Sequence, residues 1–214
     1  MKIAVLGGSF NPIHMGHLAL ADDVCKTLGY DKLLFVVALN PPHKEMCEAA
    51  SAGDRLEMVR AACSDDVRFE AEDCEIVRGG VSYTYDTICY LEQKYSAVLE
   101  GKIGLVMGDD LLAEFHLWHR ASDLAKKCDL ILARRPAVAD DARFANRPIG
   151  AYGKEHAGDR ADPLFANAKI IENPLLSISS TDIRARIAQG KSFQYLVPSA
   201  VFKYISTGKI YGYR

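Results

Sequence analysis

The sequence predicts an α/β protein: a mostly parallel sheet with helices on both faces and a small helical region at the C-terminal end. Two observations carry this. Short apolar, β-rich runs alternate with segments whose apolar residues recur every three or four positions, the pattern of successive βαβ units. The first run also ends in Gly7-Gly8 just before a helical pattern. Right-handed crossovers bring all strand C-termini to one edge, where ligands bind in such sheets. The glycine turn therefore marks the candidate site.

The elements follow in order. Residues 3–6 read as a buried strand, and residues 16–28 as the helix after the glycine turn. Residues 33–39 form a second strand, cut off by Asn40-Pro41-Pro42. Residues 54–63 suit a helix, with Leu56, Val59 and Cys63 at three- and four-residue spacing. A short strand at 67–69 precedes a helix beginning near Tyr85, and 103–107 and 130–133 are two further strands. Residues 135–167 lose periodicity and are punctuated by Pro136, Pro148, Gly150, Gly153, Gly158 and Pro163. Such a stretch predicts a long irregular excursion or lid. Regular structure resumes as a strand at 169–171 and helices at 181–188 and 199–207. The 214 residues are expected to make one domain, at ~150 residues per unit. Within it, 1–135 is the α/β core, 136–168 the excursion, and 169–214 the C-terminal strand and helices.

Composition limits the function classes. Hydrophobic residues are 49% and charged residues 25%, values of a globular protein and not of a disordered one. The net charge of −2 lacks the bulk basic field of a duplex nucleic-acid binder. The longest solid apolar stretch, 33–39, is far short of the ~20 residues that span a bilayer. Cys25, Cys47, Cys63, Cys74, Cys89 and Cys128 form no CxxC pair and read as reduced thiols. The expectation is a cytoplasmic protein with neither nucleic acid nor membrane as partner, and a homo-oligomer is compatible with it.

The run Gly7-Gly8-Ser9-Phe10-Asn11-Pro12-Ile13-His14-Met15-Gly16-His17 carries the most chemistry. Glycines let backbone N–H groups approach an anion, and the helix N-terminus adds partial positive charge. The run is neither GxGxxG nor GxxxxGK[ST], so a hydride-transfer dinucleotide fold and a Walker loop are both disfavoured. His14 and His17, three residues apart at a helix start, project the same way and can both donate to one phosphate. A capping histidine beside a packed one, or an HxxH zinc pair, are the alternatives; no third zinc ligand stands at the expected spacing nearby.

Ile178-Ser179-Ser180-Thr181-Asp182-Ile183-Arg184 puts hydroxyls at another helix start, with an arginine one turn in. Ser180 reads as an N-cap, with Asp182 favoured by the helix dipole. The same residues also suit a second phosphate cradle with Arg184 as its charged clamp.

Together, the two segments resemble the HxGH nucleotidyltransferase superfamily, with its Rossmann-like sheet, and three further strings resemble its bacterial nicotinate-nucleotide adenylyltransferases. These are Asn40-Pro41-Pro42-His43-Lys44, Ser82-Tyr83-Thr84-Tyr85-Asp86-Thr87, and Gly108-Asp109-Asp110 followed by Trp118. The resemblance runs over 1–135 and 169–214. It departs at Ser9, where the family commonly has threonine, and in a longer 135–168 region.

The resemblance implies adenylyl transfer from ATP to nicotinate mononucleotide, giving deamido-NAD and pyrophosphate, with Mg²⁺ accompanying ATP. It implies His14, His17, Lys44 and Arg184 as catalytic residues. ATP would be held by Gly7, Gly8, Ser9, Phe10, His17, Gly108, Asp110, Ser179, Ser180, Thr181 and Arg184. Nicotinate mononucleotide would meet Ser9, Asn40, Lys44, Tyr83, Thr84, Asp110 and Trp118, the last flanking the pyridine ring. No protein residue is assigned to a metal. Another acceptor (nicotinamide mononucleotide or phosphopantetheine), a non-catalytic nucleotide sensor and a metal-dependent hydrolase are the rival readings.

Overall fold

A computed structural model describes residues 1–42, 49–134, 163–174 and 176–214. Among the described residues six strands form one sheet: β1 (Ile3–Gly8), β2 (Lys32–Val37), β3 (Phe69–Glu72), β4 (Gly104–Gly108), β5 (Asp129–Ala133) and β6 (Lys169–Ile171). Their order is β3-β2-β1-β4-β5-β6, and every pairing is parallel. The chain moves outward from β1 to β3 and then crosses to β4 on the other side of β1. The C-terminal ends of β1 and β4 therefore flank the switch point, where connections diverge and leave a crevice.

Helices cover both faces: α1 (Met15–Leu28), α2 (Ala52–Cys63), α3 (Cys74–Arg78), α4 (Thr84–Lys94), α5 (Ala121–Lys127), α6 (Ser180–Ala188) and α7 (Ser199–Gly208). Side chains alternate along β1 and so feed two cores. Ala4 and Leu6 join Val24 of α1, Val59 of α2, Ile183 of α6 and Val201 of α7 on one face. Ile3 and Val5 join Cys74 of α3, Ile88 and Leu91 of α4 and Leu124 of α5 on the other.

Several boundaries differ from the sequence reading. β2 ends at Val37 rather than at 39. The third strand is Phe69–Glu72, not 67–69, and Val67 is 95% exposed. A charged turn accounts for the shift: Asp66 accepts from the backbone and guanidinium of Arg68, and that guanidinium also reaches Asp22. Helices α3 and α5 are too short to show a periodicity. The excursion predicted over 136–168 lies largely outside the described residues, but its end belongs to the core. There Pro163–Phe165 is a 3₁₀ turn that buries Phe165 against Phe115, with ring centroids 5.1 Å apart.

The five described cysteines are free thiols, and Cys47 lies outside the described residues. Burial pushes Cys25 up to about 11, and Cys63, Cys74 and Cys128 up to about 12. These thiols stay protonated at neutral pH and act as small core residues. Among the described residues no helix is long and apolar enough to cross a membrane.

Candidate active site

The turn from β1 to α1 is built around two buried rings. Phe10, with φ 44°, folds its side chain into the core, 5.6 Å from the Phe35 ring and 5.1 Å from that of His17. At 2% exposure its ring cannot meet a ligand, so any contact from Phe10 is through its backbone. A Cβ on Gly8 would stand 3.0 Å from this ring, which favours glycine at position 8. Gly7 and Ser9 stay at the strand's C-terminal edge.

His14 is the N-cap of α1 and His17 its third residue. The backbone N–H of His14 donates to Nδ1 of His17 at 3.2 Å, so neutral His17 carries its proton on Nε2. The two imidazoles stack with centroids 3.7 Å apart and 24° between planes. The intervening glycine makes this possible. A Cβ on Gly16 would lie 3.1 Å from Nδ1 of His14.

The second helix start comes to the same turn from the far end of the chain. Ser180 Oγ donates to Pro12 O at 2.8 Å, and Arg184 Nη1 donates to Asn11 O at 2.7 Å. Ser179, not Ser180, is the N-cap of α6: its Oγ accepts from the Asp182 N–H at 3.0 Å. The sequence reading was one residue off because adjacent serines cap equally well, and the distant carbonyl of Pro12 decides between them. Thr181 Oγ1 accepts from Arg184 Nη2 at 3.3 Å. Arg184, Lys209, Tyr211 and Ile210 line a shallow depression of about 570 Å³ beside α6.

The segments after β2 and before α4 face each other. Ser82 Oγ accepts from the backbone N–H groups of Leu39 and Asn40 at 3.1 and 3.2 Å, and Asn40 Nδ2 donates to Gly80 O at 3.3 Å. Tyr83 is the N-cap of α4 and Thr84 its first residue, so the positive end of the helix and its amides lie there. Gly108 closes β4, and Asp109 and Asp110 open a 3₁₀ segment, Asp109–Leu117. Trp118 follows, half-buried with its ring 5.2 Å from Phe115. His119, to which the sequence reading gave no role, packs on Tyr83 with centroids 4.5 Å apart. Lys44 lies outside the described residues.

Three contributors were missed. Buried Asn11 accepts at Oδ1 from the Tyr211 hydroxyl at 2.7 Å. Arg55, on α2, donates from Nη1 to Ser9 O at 2.7 Å and to Ala38 O at 2.8 Å. Nothing local in the sequence signals any of these contacts. The site's donors are amides, imidazoles, hydroxyls and guanidinium, a set that suits polyphosphate. Among the described residues, no three His, Cys, Asp or Glu side chains gather in a cluster able to hold a metal.

The Cytidylyltransferase-like family matches residues 5–186. A probable nicotinate-nucleotide adenylyltransferase of Treponema pallidum is 40% identical over 212 residues, covering 99% of each chain. The protein of that name in Borreliella afzelii is 35% identical over 211 residues, covering 99% of this chain and 97% of its own. A solved structure of nicotinic acid mononucleotide adenylyltransferase from Plasmodium falciparum, complexed with NaAD, superposes with a TM-score of 0.74 at 17% identity. It covers 100% of this chain and 98% of its own, and at that identity shows the shared fold.

Proposed function

Because the chain belongs to the cytidylyltransferase-like family and, within it, to the nicotinate-nucleotide adenylyltransferases, we propose that the crevice where α1 and α6 converge is its catalytic centre. The reaction transfers the adenylyl group of ATP to nicotinate mononucleotide in NAD biosynthesis, releasing pyrophosphate. The observation that carries the site assignment is the pair of bonds from Ser180 and Arg184 to Pro12 and Asn11. They join two helix N-termini from opposite ends of the chain into one anion-binding surface.

The 5′-phosphate oxygen of the acceptor attacks the α-phosphorus of ATP in line. The bond from that phosphorus to the bridging oxygen breaks, and pyrophosphate departs with the electron pair. The protein's work is positioning and charge stabilisation. His14 and His17 donate to the α-phosphate and bridging oxygens, while the loop amides near Gly8 and Ser9 complete the cradle. Arg184 and Lys44 neutralise the phosphates on either side. Mg²⁺ would accompany ATP as part of the substrate and would supply charge neutralisation at the triphosphate, with no protein residue assigned to hold it. Gly108 and Asp110 border the nucleotide riboses, and Asn40, Tyr83, Thr84 and Trp118 surround the pyridine. We place the single domain of 1–214 in the cytoplasm, in keeping with the five free thiols among the described residues.

Trp118→Ala tests the acceptor side. The variant is expected to raise KM for nicotinate mononucleotide about tenfold, the scale for losing an aromatic stack on a base. KM for ATP should move by less than ~threefold. Equal losses for both substrates in steady-state kinetics would make Trp118 a packing residue on Phe115.

A further inference from the structure

We propose that Arg55 is a positioning residue for the ATP side of the site, an inference that rests on the function just given. Arg55 is 2% exposed and lies in the first turn of α2. Burial of a cation is costly, and the positive end of a helix dipole makes it more so. Burial lowers the tendency of Arg55 to hold its proton, and its Nε is buried without a hydrogen-bond partner among the described residues. None of the carboxylates among those residues forms an ion pair with it. The side chain is therefore poorly placed for stability alone.

Its contacts point to the site. The β1–β2 ladder runs as far as Gly8 opposite Val37 and ends with the Ala38 N–H donating to Gly8 O at 2.9 Å. Where the strands part, one nitrogen of Arg55 takes up the next two carbonyls, Ser9 O and Ala38 O. In a trans peptide the C=O and the following N–H point in opposite directions. Fixing Ser9 O toward Arg55 thus fixes the Phe10 N–H on the other side of the turn. The same logic holds at Ala38–Leu39, but there Ser82 Oγ grips the Leu39 N–H as well. Loss of Arg55 leaves Leu39 and Asn40, on the acceptor side, tethered by Ser82 and releases the Phe10 N–H, a backbone group assigned to ATP alone.

Arg55→Lys, Arg55→Met and Arg55→Gln test this by steady-state kinetics on both substrates, with thermal melts beside them. A lysine ammonium can bridge both carbonyls from its single nitrogen; the neutral side chains cannot supply that charge. The expected result is a rise of ~30-fold in KM for ATP in the neutral variants, the scale of a lost charged hydrogen bond. KM for nicotinate mononucleotide should stay within ~threefold, and Arg55→Lys should recover ATP binding to within ~fivefold of the unmodified protein. A lysine variant as impaired as the neutral ones, equal losses for both substrates, or no loss at all would overturn the proposal. Failure of both neutral variants to fold would do the same, since Arg55 would then be a structural requirement. Inactivity of the unmodified protein on these substrates would instead remove the functional reading beneath it.

Discussion

Replacing His17 by alanine is expected to lower turnover by at least ~10²-fold, the scale for removing one preorganised donor, while the fold persists. Three contacts orient the ring before any substrate arrives. Its Nδ1 accepts from the His14 N–H, its face stacks on His14, and Phe10 meets it at 78°. With Nδ1 engaged, Nε2 is the donor of the neutral ring. Alanine also removes the bond to the N-cap amide, a loss of ~1 kcal/mol typical of a helix cap. For a chain of this size that lowers the melting temperature by about 2–4 °C. Turnover at saturating substrates, measured beside a thermal melt, separates the two effects. Near-normal turnover in a folded variant would remove His17 from the catalytic set.

Arg184→Ala is expected to lower kcat/KM for ATP by ~10–100-fold, as follows from losing a charged hydrogen-bonding group worth ~1.5–3 kcal/mol. The guanidinium has two tasks here. It donates to Asn11 O and Thr181 Oγ1, which ties α6 to the β1–α1 turn, and it supplies charge beside that turn. Lysine keeps the charge but not the planar fork. Arg184→Lys should therefore recover only part of the loss. Kinetics with ATP as the varied substrate check this, and an unchanged kcat/KM in the alanine variant would show that Arg184 serves the fold alone.

Local chemistry was legible in the sequence wherever residue type and spacing sufficed. Gly7-Gly8 at a strand end announced the β1–α1 turn, and His14 and His17 flanking Gly16 announced two imidazoles that meet at one helix start. The structure adds the reason for that glycine, since any side chain would displace the His14 ring. What depends on distant partners was not legible. Ser179 and Ser180 are interchangeable as caps until Pro12, 168 residues away, accepts from Ser180. Tyr211 meets Asn11 across 200 residues. Arg55 sits beside Leu56 on an amphipathic helix, where a charged residue reads as solvent-facing; its partners are backbone carbonyls, which leave no mark in sequence. The third strand slipped because the turn at Asp66–Arg68 is fixed by side-chain bonds and not by apolar pattern.

We propose further that the carboxylate of nicotinate mononucleotide meets the amides at the N-terminus of α4, around Tyr83 and Thr84, the part of the pyridine site that decides the acceptor. Amides and a positive helix end favour a carboxylate over a neutral amide group. The most direct test is pyrophosphate release from MgATP, with nicotinate mononucleotide and nicotinamide mononucleotide run in parallel. Fast release with the nicotinate form and slow release with the nicotinamide form is the predicted result. Comparable rates would contradict the reading of the carboxylate, and release with neither would contradict the function itself.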